Sequence, residues 1–183
     1  MKCIIIEGPQ GCGKTTLANY LREKVPASNL YRLAGQKDKT VEGKNNSIKM
    51  YDALLDYMKA MENTGVNLIF DRTFFSEEVY ASLGYKDYSF NDKYKELLDK
   101  LSKLNFEIIY ISLYLKDTSL YTKRLERDHH NYQNFAAESS IKQQNKYKEL
   151  IKDVEKLENA KVYEIAMDNF EKAYKEIDKI LNI

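Results

Sequence analysis

The sequence has few of the residues that interrupt or staple a chain. Two prolines and seven glycines in 183 residues leave no room for a proline-rich or glycine-rich linker, and no internal repeat is visible. Two cysteines, Cys3 and Cys12, cannot form a disulfide framework and do not have metal-ligand spacing. They read as reduced thiols of a cytoplasmic protein. Excess charge of either sign is also missing: 29 basic side chains face 28 acidic ones. A net charge of +1 gives no long-range field for a nucleic acid or an anionic membrane, so any phosphate affinity must come from a few placed groups. Long apolar runs are lacking too. Cys3-Ile4-Ile5-Ile6 stops at Glu7-Gly8, too short for a signal segment, and no stretch approaches the ~18–20 apolar residues of a spanning helix. The expectation is a cytoplasmic protein with no membrane partner. The 43% apolar content is enough for a core, and the length fits one α/β domain over residues 1–183.

Short apolar runs alternate with longer amphipathic ones. Lys2–Ile6, Leu30–Leu33, Val66–Phe70, Phe106–Leu115 and Lys161–Ile165 read as strands. Helical patterns cover Lys14–Val25, Asn46–Asn63, Phe75–Leu83, Asp92–Leu104, Thr118–Asp128, Ser139–Leu157 and Phe170–Leu181. Ser47 or Asn46 is the expected cap of the second helix, and Asp117 that of the helix beginning near Thr118. Polar segments 35–45 and 129–137 read as loops. Strands alternating with helices predict crossover units, and hence a five-stranded parallel sheet flanked by helices in three layers.

The segment Glu7-Gly8-Pro9-Gln10-Gly11-Cys12-Gly13-Lys14-Thr15-Thr16 contains G-x-x-x-x-G-K-T between a strand and a helix, the context that this phosphate-binding loop requires. Three glycines let backbone N–H groups point inward as a nest, and the following helix adds its N-terminal partial charge. Gly8, Gln10, Gly11, Cys12, Gly13, Lys14, Thr15 and Thr16 are the predicted cofactor-binding residues. Lys14 would reach the β and γ phosphates of ATP, and the Thr15 hydroxyl would ligate Mg²⁺. The loop alone does not name a reaction, because many chemistries share it.

Leu68-Ile69-Phe70-Asp71-Arg72 puts an acid and an arginine at the end of a strand, where parallel-sheet proteins hold ligands. Asp71 can serve Mg²⁺ or accept a proton from an acceptor oxygen. Arg72 offers a fork for a phosphate. The sequence lacks the Asp-x-x-Gly and Asn-Lys-x-Asp segments that a GTPase would carry.

Here the chain resembles the thymidylate kinase and deoxynucleoside kinase group of P-loop kinases. Residues 7–17 are similar to the start of that group. Asp71-Arg72-Thr73-Phe74-Phe75-Ser76-Glu77-Glu78-Val79-Tyr80 is similar to the Asp-Arg-(aromatic)-x-x-Ser-x-x-Ala-Tyr segment of thymidylate kinases. The resemblance implies that Asp71 serves the Mg²⁺–phosphate centre and Arg72 the acceptor. It also implies that Phe74, Ser76 and Tyr80 lie near the acceptor base or sugar, and that the protein is a homodimer. Phe74 and Phe75 are adjacent and so are not expected to face one core together. Either one of them stacks on a base or both pack in the domain. Tyr31-Arg32-Leu33-Ala34-Gly35 is similar to Arg-Glu-Pro-Gly of thymidylate kinases at Arg32 and Gly35, which makes Arg32 a substrate-binding candidate. The acid that follows in the group is absent here. A hydroxyl acceptor benefits from a base at that place and a phosphate acceptor needs none, which favours a monophosphate. Thr73 replaces an aromatic residue of the group's pattern, and Gln10 an acid.

Arg124 and Arg127 lie three residues apart and share a helix face. The resemblance makes them lid arginines over the transferring phosphate, with a lid at about 124–138 between two C-terminal helices. His129 and His130 lie in that segment without a third metal ligand at sensible spacing. The leading expectation is an ATP-dependent kinase acting on a small (deoxy)nucleoside monophosphate. A nucleoside kinase with Asp71 as base, a nucleic-acid 5′-end kinase and a non-catalytic nucleotide-binding regulator are the alternatives. The near-neutral charge argues against the nucleic-acid reading.

Overall fold

The computed structural model describes residues 1–127 and 137–183. The strands are β1 (Lys2–Glu7), β2 (Ser28–Arg32), β3 (Asn67–Asp71), β4 (Glu107–Tyr114) and β5 (Ala160–Ala166). Helices α1 (Lys14–Lys24), α2 (Val41–Ala60), α3 (Phe74–Ser82), α4 (Asn91–Ser102), α5 (Leu120–Arg127), α6 (Ala137–Val154) and α7 (Phe170–Leu181) connect and follow them. All strand pairs are parallel, in the order β2-β3-β1-β4-β5.

The central strand shows why the sheet is covered on both faces. Cys3, Ile4, Ile5 and Ile6 are all fully buried, a continuous apolar run of the kind that a two-sided parallel sheet needs. Cys3 and Ile5 point into a core shared with α2, α3, α4 and α6, while Ile4 and Ile6 point into one shared with α1, α5 and α7. The chain leaves β1 towards β2 on one side and leaves β4 towards β5 on the other. The crevice at the carboxyl ends of β1 and β4 is therefore a topological switch point, the usual ligand position in such sheets.

The expected strands are all present, with ends shifted by one or two residues. Helix α2 differs more. It begins at Val41, within the segment read as a loop, and neither Asn46 nor Ser47 caps it. Its cap is Thr40, whose hydroxyl accepts from the Glu42 N–H at 3.3 Å. Ser47 instead lies buried inside the helix. The first turns are polar because they pack beneath residues 36–40, where Gly43 meets the Asp38 backbone, rather than over an apolar core. Asp117 does accept hydrogen bonds, but from the N–H and hydroxyl of Ser119, and the helix starts at Leu120. Phe74 and Phe75 overturn the expectation that they cannot share a core: both are fully buried, with stacked rings 4.5 Å apart. Helix α3 is enclosed on nearly all sides, so adjacent positions both find apolar neighbours. Among the described residues no helix is long and apolar enough to cross a membrane.

Candidate active site

The loop after β1 is built to bring its backbone close to its surroundings. Gly8 has φ +151°, and a Cβ there would lie 2.7 Å from the Leu113 carbonyl oxygen of β4. Gly13 opens α1 in the left-handed region, φ +102°, which favours glycine. Lys14 is buried and folds back over the loop, donating to the Gly8 and Pro9 carbonyls at 2.8 and 2.7 Å. Burial pulls its ammonium below the ordinary lysine range, and Arg72 adds to the effect. Such a cation gains by meeting an anion.

The loop is braced from two directions that the sequence pattern does not disclose. From α6, Gln143 Oε1 accepts from the Gln10 N–H at 3.0 Å, and Ser140 donates to the Gln10 carbonyl at 2.9 Å. The Gln10 amide is thus turned towards α6. From α5, Arg124 donates to the carbonyls of Gly11 (3.3 Å), Cys12 (3.2 Å) and Met167 (2.7 Å) and lies over the Phe170 ring at 5.1 Å. It clasps the outside of the loop to the end of β5. Cys12 is fully buried, and burial pushes its thiol up. Thr16 is exposed on the first turn of α1.

Thr15 and Asp71 meet across the crevice, with the Thr15 hydroxyl donating to Asp71 Oδ2 at 2.7 Å. Asp71 Oδ1 is buried with no hydrogen-bond partner among the described residues. A hydroxyl beside a carboxylate with an open oxygen is a donor set suited to a hard cation such as Mg²⁺. The register that pairs Arg32 with Asp71 sets Arg32 beside this carboxylate, Nε to Oδ2 4.0 Å, and the half-exposed guanidinium also donates to Asn19 Oδ1.

Arg72 follows in the left-handed region, φ +76°, a conformation that costs a residue with a Cβ on the order of 1–3 kcal/mol. Its guanidinium donates to the Tyr80 hydroxyl at 3.3 Å. Burial works against the cation, but Tyr80, Tyr147, Asp71 and Glu7 around it hold it charged. Ser76 is buried, sharing hydrogen bonds with Glu7 Oε2 and the Tyr147 hydroxyl, both at 2.8 Å. Phe74 is fully enclosed among Tyr51, Phe75 and Tyr94 and presents no free face to a base. Of the two readings of this aromatic pair, the ring follows the one in which it packs in the domain.

Glu7 and Tyr147, to which the sequence assigns no role, both sit in the centre. Glu7 is fully buried and accepts from the Thr73 N–H and hydroxyl and from Ser76. Burial pushes its carboxyl up to about 7, against the hydrogen bonds from Ser76 and Thr73 that favour the anion. The sequence signals for Glu7 are an acid at the end of a buried strand and its place at the start of the segment 7–17. Arg127 is exposed at the end of α5. His129, His130 and the rest of 128–136 lie outside the described residues, so of the expected lid 124–138 only its two ends are placed.

The five-stranded parallel sheet thus carries at its switch point a glycine-bearing loop, a paired hydroxyl and carboxylate, and two arginines on the same edge. No protein-family model matches the chain, and no curated protein matches it. Solved structures do. The YorR protein of Bacillus subtilis, solved with phosphorylated GDP, is 20% identical with a TM-score of 0.67, over 100% of this chain and 96% of its own. The deoxyadenosine kinase of M. mycoides, solved with dCMP and dCDP products, is 21% identical with a TM-score of 0.62, over 100% and 98%. The thymidylate kinase of Candida albicans is 17% identical with a TM-score of 0.63, over 98% and 92%. The chain shares the fold of these proteins over nearly its whole length.

Proposed function

We propose that this chain is an ATP-dependent nucleotide kinase that transfers the γ-phosphoryl group to a (deoxy)nucleoside monophosphate. The observation that carries this reading is the corner around Asp71. Thr15 and the open carboxylate oxygen mark the donor and metal side, and Arg32 and Arg72 flank the same carboxylate on the acceptor side. A monophosphate arrives as an anion and needs positioning rather than deprotonation. The place after β2 where a base would stand holds Leu33 and Ala34. The nearby Glu7 is occupied with Thr73 and Ser76.

In this reading the nest and the N-terminus of α1 bind the triphosphate, and Lys14 exchanges the Gly8 and Pro9 carbonyls for the β and γ phosphates. Thr15 and Asp71 would hold Mg²⁺, which when bound neutralises charge on the β and γ oxygens. Arg72 and Arg32 align the acceptor phosphate, and a bidentate fork fixes its direction as well as its distance. Arg124 keeps the loop in its cradle form. Arg127, on the same helix face, brings charge to the transferring group, with residues 124–138 as the lid.

The unpartnered Asp71 oxygen also favours a second reading, a deoxynucleoside kinase in which Asp71 takes the proton of a 5′-hydroxyl. Kinases named for nucleoside and for monophosphate acceptors both occur among the similar structures, which supports phosphoryl transfer and leaves the acceptor to experiment. The test is ADP formation from ATP and Mg²⁺ against a panel of nucleosides and nucleoside monophosphates, beside Lys14→Ala. Turnover with a monophosphate, absent in the variant, is expected. Turnover with nucleosides alone selects the second reading. ATP binding with no acceptor consumed overturns both and moves attention to nucleic-acid ends or a regulatory partner.

A further inference from the structure

A buried carboxylate is stable only when donors meet it, and among the described residues the donors that meet Glu7 come from one place. They are the Thr73 N–H (2.6 Å), the Thr73 hydroxyl (2.9 Å) and the Ser76 hydroxyl (2.8 Å), all on the turn from β3 into α3. That turn begins with Arg72, whose φ of +76° lies in the left-handed region. Strained backbone persists only where its surroundings over-determine it. Here the end of β1 does so from both sides: the Arg72 N–H donates to the Ile6 carbonyl at 3.1 Å, and the next N–H, of Thr73, donates to Glu7. Thr73 occupies the cap position of α3 but makes no cap bond of its own, because its hydroxyl goes to Glu7. The carboxylate of a distant strand thus grips the peptide that follows Arg72. On the far side of the turn, Ser76 continues the chain to Tyr147 of α6.

We infer that Glu7 is the positioning residue for Arg72: its carboxylate holds the β3–α3 turn in the one backbone form that turns the guanidinium towards the acceptor phosphate. This rests on the reading that Arg72 binds that phosphate. A role in folding alone would weaken the whole protein without selecting the acceptor, and the two roles separate kinetically.

The test is a double-mutant cycle in the full chain, with Glu7→Ala, Glu7→Gln and Arg72→Ala. Glu7→Ala is expected to raise the acceptor KM about 30-fold, from the loss of hydrogen bonds to a charged group, and to leave the ATP KM within about threefold. Glu7→Gln keeps an oxygen for Thr73 and can donate to Ser76, so it should recover most of the loss. In the Arg72→Ala background Glu7→Ala should add less than about twofold, since residues that act as one unit are not additive. Equal effects in the two backgrounds, or an ATP KM that rises with the acceptor KM, overturn the inference. Should Glu7→Ala fail to fold, Thr73→Val removes one donor only: about a fivefold rise in acceptor KM is expected, and no change overturns the inference. If the wild type turns over no acceptor, the kinase reading fails by itself. The inference is then read from the Arg72 Nε–Hε resonance of ¹⁵N-labelled protein, which Thr73→Val, with no change of charge, should displace. A resonance unmoved by Thr73→Val overturns it.

Discussion

Arg124 offers a quantitative test, because its position in the structure and its expected role as a lid arginine predict different kinetics. Arg124→Ala removes three donated hydrogen bonds, one short at 2.7 Å to Met167 and two at 3.2 and 3.3 Å to Cys12 and Gly11, together with the contact over Phe170. A bond from a charged donor contributes about 1.5–3 kcal/mol when well buried, and a cation–π contact about 0.5–1 kcal/mol. The side chain is only half-buried and the two loop contacts are long, so solvent screening brings the sum to about 2 kcal/mol. That energy favours the cradle form of the loop over its alternatives. Apparent affinity scales with the competent fraction, so the ATP KM should rise roughly 10–30-fold, with kcat changed less than about threefold. Arg124→Lys should recover part of the affinity, since an ammonium reaches one carbonyl but cannot fork to several. Steady-state kinetics with saturating acceptor reads both constants. A kcat that falls about 10³-fold at constant ATP KM would refute the bracing role and place Arg124 on the transferring phosphoryl group.

Asp71→Asn keeps an acceptor for Thr15 but loses the charge, so kcat should fall about 100-fold and the half-saturating Mg²⁺ concentration should rise; a Mg²⁺ titration checks this, and an unchanged requirement would count against the metal assignment. Gly43→Ala would set a Cβ 2.1 Å from the Asp38 carbonyl oxygen; the displaced 36–40 segment should destabilise the fold by about 2 kcal/mol, and an unaltered Tm would show that the close approach is not there. Glu7 predicts a pH trend: its carboxyl rises from 4.5 to about 7 on folding, so the folded state binds the extra proton. Its stabilisation is complete below pH 4.5 and is lost as pH rises through about 7, by up to about 3 kcal/mol. Urea unfolding from pH 4.5 to 8 should show this loss in wild type relative to Glu7→Gln, and a gain with pH would reverse the assignment.

The features legible in the sequence were those written in neighbouring residues. The Cys3–Ile6 run, the glycine spacing before Lys14 and the Asp71-Arg72 pair each announce themselves locally, and the sheet brings them to one edge through β1–β3 pairing. What stayed hidden depends on contacts between distant positions. Glu7 meets Thr73 and Ser76 only because β1 and β3 are neighbours. Ser140, Gln143 and Gln144 sit in a polar stretch, yet all three are buried to hold Gln10, Leu115 and Tyr121. The start of α2 is not legible in the sequence because its first turns cover a loop rather than an apolar face, so no hydrophobic period marks them. Phe74 is ambiguous in the sequence because aromatic rings suit both a base and a core, and only packing separates the two.

The central claim is that the γ-phosphoryl group moves from ATP to a small nucleotide at the Asp71 corner. It is tested most directly by following γ-labelled ATP in a single turnover with the acceptor that the panel selects. Label appearing in a nucleoside diphosphate with wild type, and falling at least about 100-fold in rate with Arg72→Ala and with Lys14→Ala, is the predicted result. Label released only as inorganic phosphate, or transfer unaffected by Arg72→Ala, would contradict it.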